Sequence, residues 1–233
     1  MLMSDHDALL GGVLADPDAD LPRLVYADFL DEIGTPADAA RAEFVRAQIE
    51  LATDEPDDQR RLELGVRERL LLNGNVKAWL APLRTRGEAL QNPGTHGLFR
   101  RGFVETVWMP ATVFTWKAAR LFARAPVTEL RVTRTTLVEL EELLREPTAT
   151  RLTALDLCDR RLGDAALRAI LDSPVLANLR TLRLRACGLT ADAVEPLLDA
   201  FASWQPARLE LGLNAIPPDG LAALRARYGD ALA

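Results

Sequence analysis

The sequence predicts an α/β fold in which a solenoid of parallel strands plus helices follows an N-terminal all-helical domain. Three observations predict it. An apolar pattern recurs five times in the second half, its equivalent positions 23 to 27 residues apart. Helix start and stop signals, rather than period-two alternation, organise residues 4–92. The composition is ordinary for a globular chain: 233 residues, 48% hydrophobic and 27% charged, enough for one large domain or two small ones. Fourteen Gly and fourteen Pro exclude collagen-like and low-complexity classes.

The helices come first. Ser4 precedes the apolar run Ala8, Leu9, Leu10, Val13 and Leu14, with Asp7 three residues on, close to a capping box. Asp16-Pro17-Asp18 stops that helix. A second helix is expected from about Leu21 to Ile33, with Asp20 as N-cap and Pro22 in the first turn, where its missing N–H costs little. Val25, Phe29 and Ile33, with Tyr26 and Leu30, form its apolar stripe. Gly34 suits the left-handed C′ position, and Thr35-Pro36 restarts the chain as N-cap and N1. The third helix carries Phe44, Val45, Gln48 and Ile49 and ends near Thr53; a fourth is expected to close at Asn73-Gly74, with Trp79 and Leu80 on a short fifth segment. Asp28, Asp31 and Glu32 share one helix face. Three carboxylates without a histidine read as a solvated face, Asp28 pairing with Arg41 or Arg46, rather than as a metal site.

Three segments carry a resemblance. Ala15-Asp16-Pro17-Asp18, the run Pro22-Arg23-Leu24-Val25-Tyr26-Ala27-Asp28-Phe29-Leu30-Asp31-Glu32 and the run Arg41-Ala42-Glu43-Phe44-Val45-Arg46-Ala47-Gln48 look like the bacterial repeat-companion domain. The likeness covers about residues 7–51. Phe29 stands where that family has tryptophan, and Thr35 to Ala40 lengthen the turn. Leu98-Phe99-Arg100-Arg101-Gly102-Phe103-Val104-Glu105 looks like the junction such proteins place before their repeats. The resemblance implies a domain that accompanies repeat modules and carries over no activity. The expected division is residues 1–97, helical domain and junction, and residues 98–233, about five repeats.

The repeats align on L-x-x-L-x-L-x-x-N/C-x-L. Their leading apolar positions are Val104/Val107/Met109, Val127/Leu130/Val132, Leu152/Leu155/Leu157, Leu179/Leu182/Leu184 and Pro206/Leu209/Leu211. The spacing fits leucine-rich repeats of ~20–29 residues, and the pattern resembles the ribonuclease-inhibitor type, a strand plus a full helix per unit. Leu140, Leu143 and Leu144, then Leu167, Ile170 and Leu171, then Val194, Leu197, Leu198 and Phe201 mark successive amphipathic helices, the last with Asp192 and Glu195 as a capping-box-like pair. The ladder position reads Thr112, Thr135, Arg160, Cys187 and Asn214. Arg160 is a misfit, because a guanidinium cannot accept a hydrogen bond. Cys158 and Cys187 are expected to face different ways and stay unbridged.

Alternation along a strand sends the residue between the second and third anchors to the exposed face. That column reads Trp108, Arg131, Asp156, Arg183 and Glu210. The expected partner-binding residues are Trp108, Arg131, Arg134, Asp156, Asp159, Arg183, Arg185 and Glu210, with Trp108 as aromatic anchor, since Trp and Arg dominate interface hot spots. The competing reading is a self-satisfied charge ladder that keeps the sheet solvated.

Charge and motif content weigh the remaining classes. The net charge of −6 conceals an asymmetry: residues 1–58 hold fifteen acidic groups against three arginines, and residues 59–124 hold twelve basic groups against four acids. Opposed segments that cancel within the chain are one reading; a basic patch for an acidic partner is the other. Trp79, Phe99, Phe103 and Trp116 within the basic segment resemble a single-strand platform, yet Phe103 and Trp116 sit at repeat-core spacing and the chain as a whole is acidic. The two histidines, His6 and His96, belong to no hydrolase, phosphate-loop or dinucleotide motif. The expectation is a cytoplasmic, non-catalytic protein-interaction module with no cofactor, no catalytic or metal residues and no membrane segment. Nucleic-acid binding through residues 59–124, or a cryptic carboxylate-dependent enzyme, is the alternative. Self-association through the last repeat is a further expectation, unless Leu221, Leu224, Tyr228 and Leu232 close it.

Overall fold

The computed structural model describes residues 5–83 and 98–233; the expected cap at Ser4 and the loop with His96 lie outside them. The protein is α/β, and it divides into two compact units, Met1–Thr106 with Arg120–Pro126, and Val107–Ala119 with Val127–Ala233. No helix among the described residues is long and apolar enough to cross a membrane.

The first unit is largely helical: α1 (Asp5–Ala15), α2 (Leu21–Ile33), α3 (Pro36–Ala52) and α4 (Asp58–Leu80), followed by the short antiparallel pair β1 (Phe99–Arg100) and β2 (Phe103–Val104). Gly34 ends α2 at φ 74°, its N–H donating to the Leu30 carbonyl, and Thr35 starts α3 by accepting from the Asp38 N–H at 3.2 Å. Asp20 does not cap: its backbone is already helical, and its carboxylate instead lies 3.4 Å from Arg101 Nη1. Asn73-Gly74 does not end α4 either. The helix runs on through Trp79 and Leu80, so the expected fifth segment is its last turn. A glycine inside a helix costs only ~1 kcal/mol, less than the burial of Leu71, Leu72 and Leu80 along this helix returns.

The buried face of α2 differs from the expected stripe. Val25 and Ile33 are 41% and 47% exposed, while Arg23, Tyr26, Ala27 and Leu30 face inward. With Val13, Ala42, Val45, Ile49 and Phe103 the last three form the core, against which Leu9, Leu10, Leu24 and Phe29 pack. The β1–β2 turn is tight because Arg101 and Gly102 both adopt positive φ, 46° and 84°. A Cβ on Gly102 would lie 2.7 Å from the Val45 Cα, so only glycine lets this turn sit on α3.

The second unit is built on a five-stranded parallel sheet in the order β3 (Thr106–Met109), β4 (Glu129–Val132), β5 (Ala154–Asp156), β6 (Thr181–Arg183) and β7 (Arg208–Glu210). Each connection carries a helix: α5 (Ala111–Phe122, whose last turn belongs to the first unit), α6 (Leu137–Arg145), α7 (Gly163–Leu171) and α8 (Val194–Ala200), with α9 (Pro218–Tyr228) after the last strand. The register aligns Leu130, Leu155, Leu182 and Leu209 in one row, all fully buried. Leu140, Leu143 and Leu144 of α6, Leu167 and Ile170 of α7, Leu197 of α8 and Leu224 of α9 complete this unit's core. Thr136 and Glu139 form the capping box that starts α6. No such box joins Asp192 to Glu195; a 3₁₀ turn capped by Thr190 precedes α8 and leaves Pro196 in that helix's first turn. Trp116, placed by its spacing in the core, is 72% exposed on α5. Beyond α9 the chain pairs with β7: the Ala233 N–H donates to the Leu209 carbonyl at 2.9 Å.

Candidate functional site

Parallel register turns a sequence column into a surface row. Arg131 stands opposite Asp156, Asp156 opposite Arg183, and Arg183 opposite Glu210. The flanking residues of each strand point into the core, so these four side chains share the other face of the sheet, all partly exposed.

The row is tied together by charge. Glu129 Oε1 accepts from Arg131 Nε and from Arg183 Nη1, both at 2.8 Å. Glu210 Oε1 accepts from Arg183 Nε at 3.2 Å and from Arg208 Nε at 2.6 Å. Asp156 lies 3.9 Å from Arg131 and caps the strand exit by accepting from the Cys158 N–H at 2.9 Å. Burial pushes the Glu129 carboxyl up, but the hydrogen bonds and charges of Arg131 and Arg183 outweigh it and hold its pKa below the usual value. Arg183 gains in the same way, its charged form favoured by Glu129, Asp156 and Glu210 against the cost of burial. Glu129 and Arg208 thus join the row as members that a single-column reading misses. Their signal was in the sequence, two residues before Arg131 and Glu210 and therefore on the same strand face.

Trp108 is partly buried on β3, with the Arg131 guanidinium 5.0 Å from its ring centroid and its indole N–H buried without an acceptor. Arg134, Asp159 and Arg185 lie beyond the strand ends, exposed and outside the pair network. The eight expected residues therefore fall into two groups. Trp108, Arg131, Asp156, Arg183 and Glu210 make the strand row, and the other three sit on the loops that leave it.

Those loops repeat a backbone device. Asp159, Ala186 and Leu213 all take positive φ, 62°, 54° and 59°, one residue before the ladder position. Asn214 then fills its role completely: Oδ1 accepts from the N–H groups of Cys187, Gly188 and Leu189, and Nδ2 donates to the Leu184 and Leu211 carbonyls. The Cys187 thiol donates to the Leu157 carbonyl at 3.0 Å. Arg160 contributes its guanidinium, not an acceptor, donating to the Cys158 carbonyl at 3.2 Å. Both cysteines are free thiols. Burial first, with Asp156 adding, raises the Cys158 pKa to about 12, and burial raises that of Cys187 to about 11, so neither is disposed to act as a thiolate nucleophile near neutral pH.

In the helical unit the acidic face of α2 is engaged: Arg46 reaches Asp28 at 2.6 Å and Asp31 at 2.7 Å. Arg41, the other expected partner, turns inward. Arg60 pairs with Glu50, Arg67 with Glu43, and Arg101 with Glu105 and Asp20. Three basic residues of the 59–124 segment, Arg60, Arg67 and Arg101, are thus matched with acids of the same unit. Phe99 and Phe103 are buried, and among the described residues no group of three or more His, Cys, Asp or Glu is placed to hold a metal ion. No protein-family model, curated protein or solved structure matches the chain.

Proposed function

We propose that the strand-and-helix unit is a short leucine-rich-repeat arc of the ribonuclease-inhibitor type beside a repeat-companion-like helical domain, and that the chain is a non-catalytic cytoplasmic module that binds a protein partner through the charged strand face. The observation that carries this reading is the in-register row Arg131, Asp156, Arg183, Glu210, with Trp108 on the same sheet. Pairing within the row fixes these long side chains before a partner arrives, which lowers the ordering cost of binding. The exposed Arg134, Asp159 and Arg185 then supply charge at the rim, where it tunes encounter rate and specificity more than fold stability. Free thiols suit a reducing compartment.

The test uses rim residues because they lie outside the internal pairs. Arg134→Glu and Arg185→Glu are expected to keep the wild-type melting temperature and to lose at least tenfold in capture of a partner isolated with the wild-type chain. Undiminished capture by the double variant would remove the strand face from the interaction.

A further inference from the structure

Arg41 is the cation in the helical unit whose surroundings its own chemistry does not explain. Its guanidinium is stacked among four aromatic rings, with ring centroids 4.6 Å away for Trp79, 5.3 Å for Phe99, 5.4 Å for Phe103 and 5.8 Å for Phe44. Its Nη1 is buried without a hydrogen-bond acceptor, and among the described residues no carboxylate lies within ion-pair distance. Aromatic faces attract a cation but give Nη1 no conventional hydrogen-bond acceptor. The side chain is only half-buried, but Nη1 is shut off from water with no acceptor, and burial lowers the pKa of the group to about 10.

Beside it lies a cavity of about 450 Å³, within the size range of small-molecule sites. Leu30, Trp79, Leu83 and Phe103 give it an apolar wall, while Tyr26 and Arg124 add polar groups. The two acids on its lining are engaged elsewhere: Asp7 lies 3.5 Å from His6, and Asp38 accepts from the Thr35 hydroxyl. Tyr26 Oη is 2.9 Å from His6 Nε2, which keeps a hydrogen-bonding pair beside the cavity.

We propose that this cavity binds a small organic carboxylate with an apolar body, the carboxylate on the Arg41 guanidinium and the body between Trp79, Phe103, Leu30 and Leu83. The anion supplies the acceptor that Arg41 lacks, and the mainly apolar wall selects against a bare inorganic anion. This site is independent of the strand face and stands or falls separately.

The experiment is calorimetric titration of the full chain with phenylacetate, indole-3-acetate and octanoate, alongside their neutral amides and inorganic phosphate. At least one carboxylate is expected to bind saturably and at least tenfold more tightly than its amide and than phosphate. Arg41→Gln is expected to lose that binding by at least tenfold while melting close to wild type, since the cation it removes is half-buried and meets no carboxylate among the described residues. Ala78→Phe, an exposed change on the cavity lining, is expected to block binding with Arg41 intact. Absence of saturable binding by all three carboxylates, equal binding of amide or phosphate, or full binding by Ala78→Phe would each overturn the proposal. A large loss of melting temperature in Arg41→Gln would assign Arg41 to the fold and overturn it too.

Discussion

At the residue scale the helical unit turns on Arg23, which is fully buried. Its Nη2 donates to Glu105 Oε1 at 2.7 Å and to the Pro17 carbonyl at 2.6 Å, and its Nη1 donates to the Arg100 and Arg101 carbonyls. Burial pushes the Glu105 carboxyl up against the opposing pull of Arg23, Arg101 and Arg100. Removing one partner leaves an uncompensated charge in a dry site. Glu105→Leu is therefore expected to cost roughly 3–5 kcal/mol, while the double variant Arg23→Met, Glu105→Leu costs less than the sum of the two single changes. Denaturant melts of the cycle check this, and additivity would refute the coupling. Glu129 gives a pH prediction for the other unit. Its native pKa lies below its ordinary value of 4.5, so its contribution is present above that value and is lost as pH falls through the lower native one. Glu129→Gln is expected to flatten the fall in melting temperature as pH drops below about 4.5. An unchanged slope would show that Glu129 carries none of it.

At the element scale, the strands were legible because their leucines recur every 25 to 27 residues and fill one row, Leu130, Leu155, Leu182 and Leu209. The inward face of α2 was legible only in part, at Tyr26, Phe29 and Leu30. Hydrophobic periodicity assigned Val25 and Ile33 to the core, but Arg23 takes a core position because carbonyls and Glu105 accept from both its Nη1 and its Nη2, a long-range fact that no local pattern encodes. The continuation of α4 past Asn73-Gly74 has the same origin, since tertiary burial overrode a weak breaker. The loop device at the ladder position was half legible: the asparagine was visible at 214, the positive φ before it was not. Asn214→Ala strips an acceptor from three N–H groups at once and donors from two carbonyls. It is expected to cost roughly 2–4 kcal/mol, and hydrogen exchange should accelerate at Cys187, Gly188 and Leu189 before it does so in β4. Uniform exchange across the unit would contradict a local role.

At the scale of the whole molecule, the acidic segment 1–58 and the basic segment 59–124 first offered a choice between internal cancellation and an external partner. Arg46, Arg60, Arg67 and Arg101 each meet a carboxylate of their own unit, which favours cancellation there and weakens the case for a nucleic-acid strip. The strand face differs, because its paired inner row is bordered by the exposed Arg134, Asp159 and Arg185. A photo-crosslinking residue placed at 134 or 185, compared with one at the exposed Glu142 on α6, tests the proposed binding face most directly. One adduct of common mass is expected from 134 and 185 and none from 142. Adducts from 142 alone, or none from the strand side with a partner bound, would contradict it.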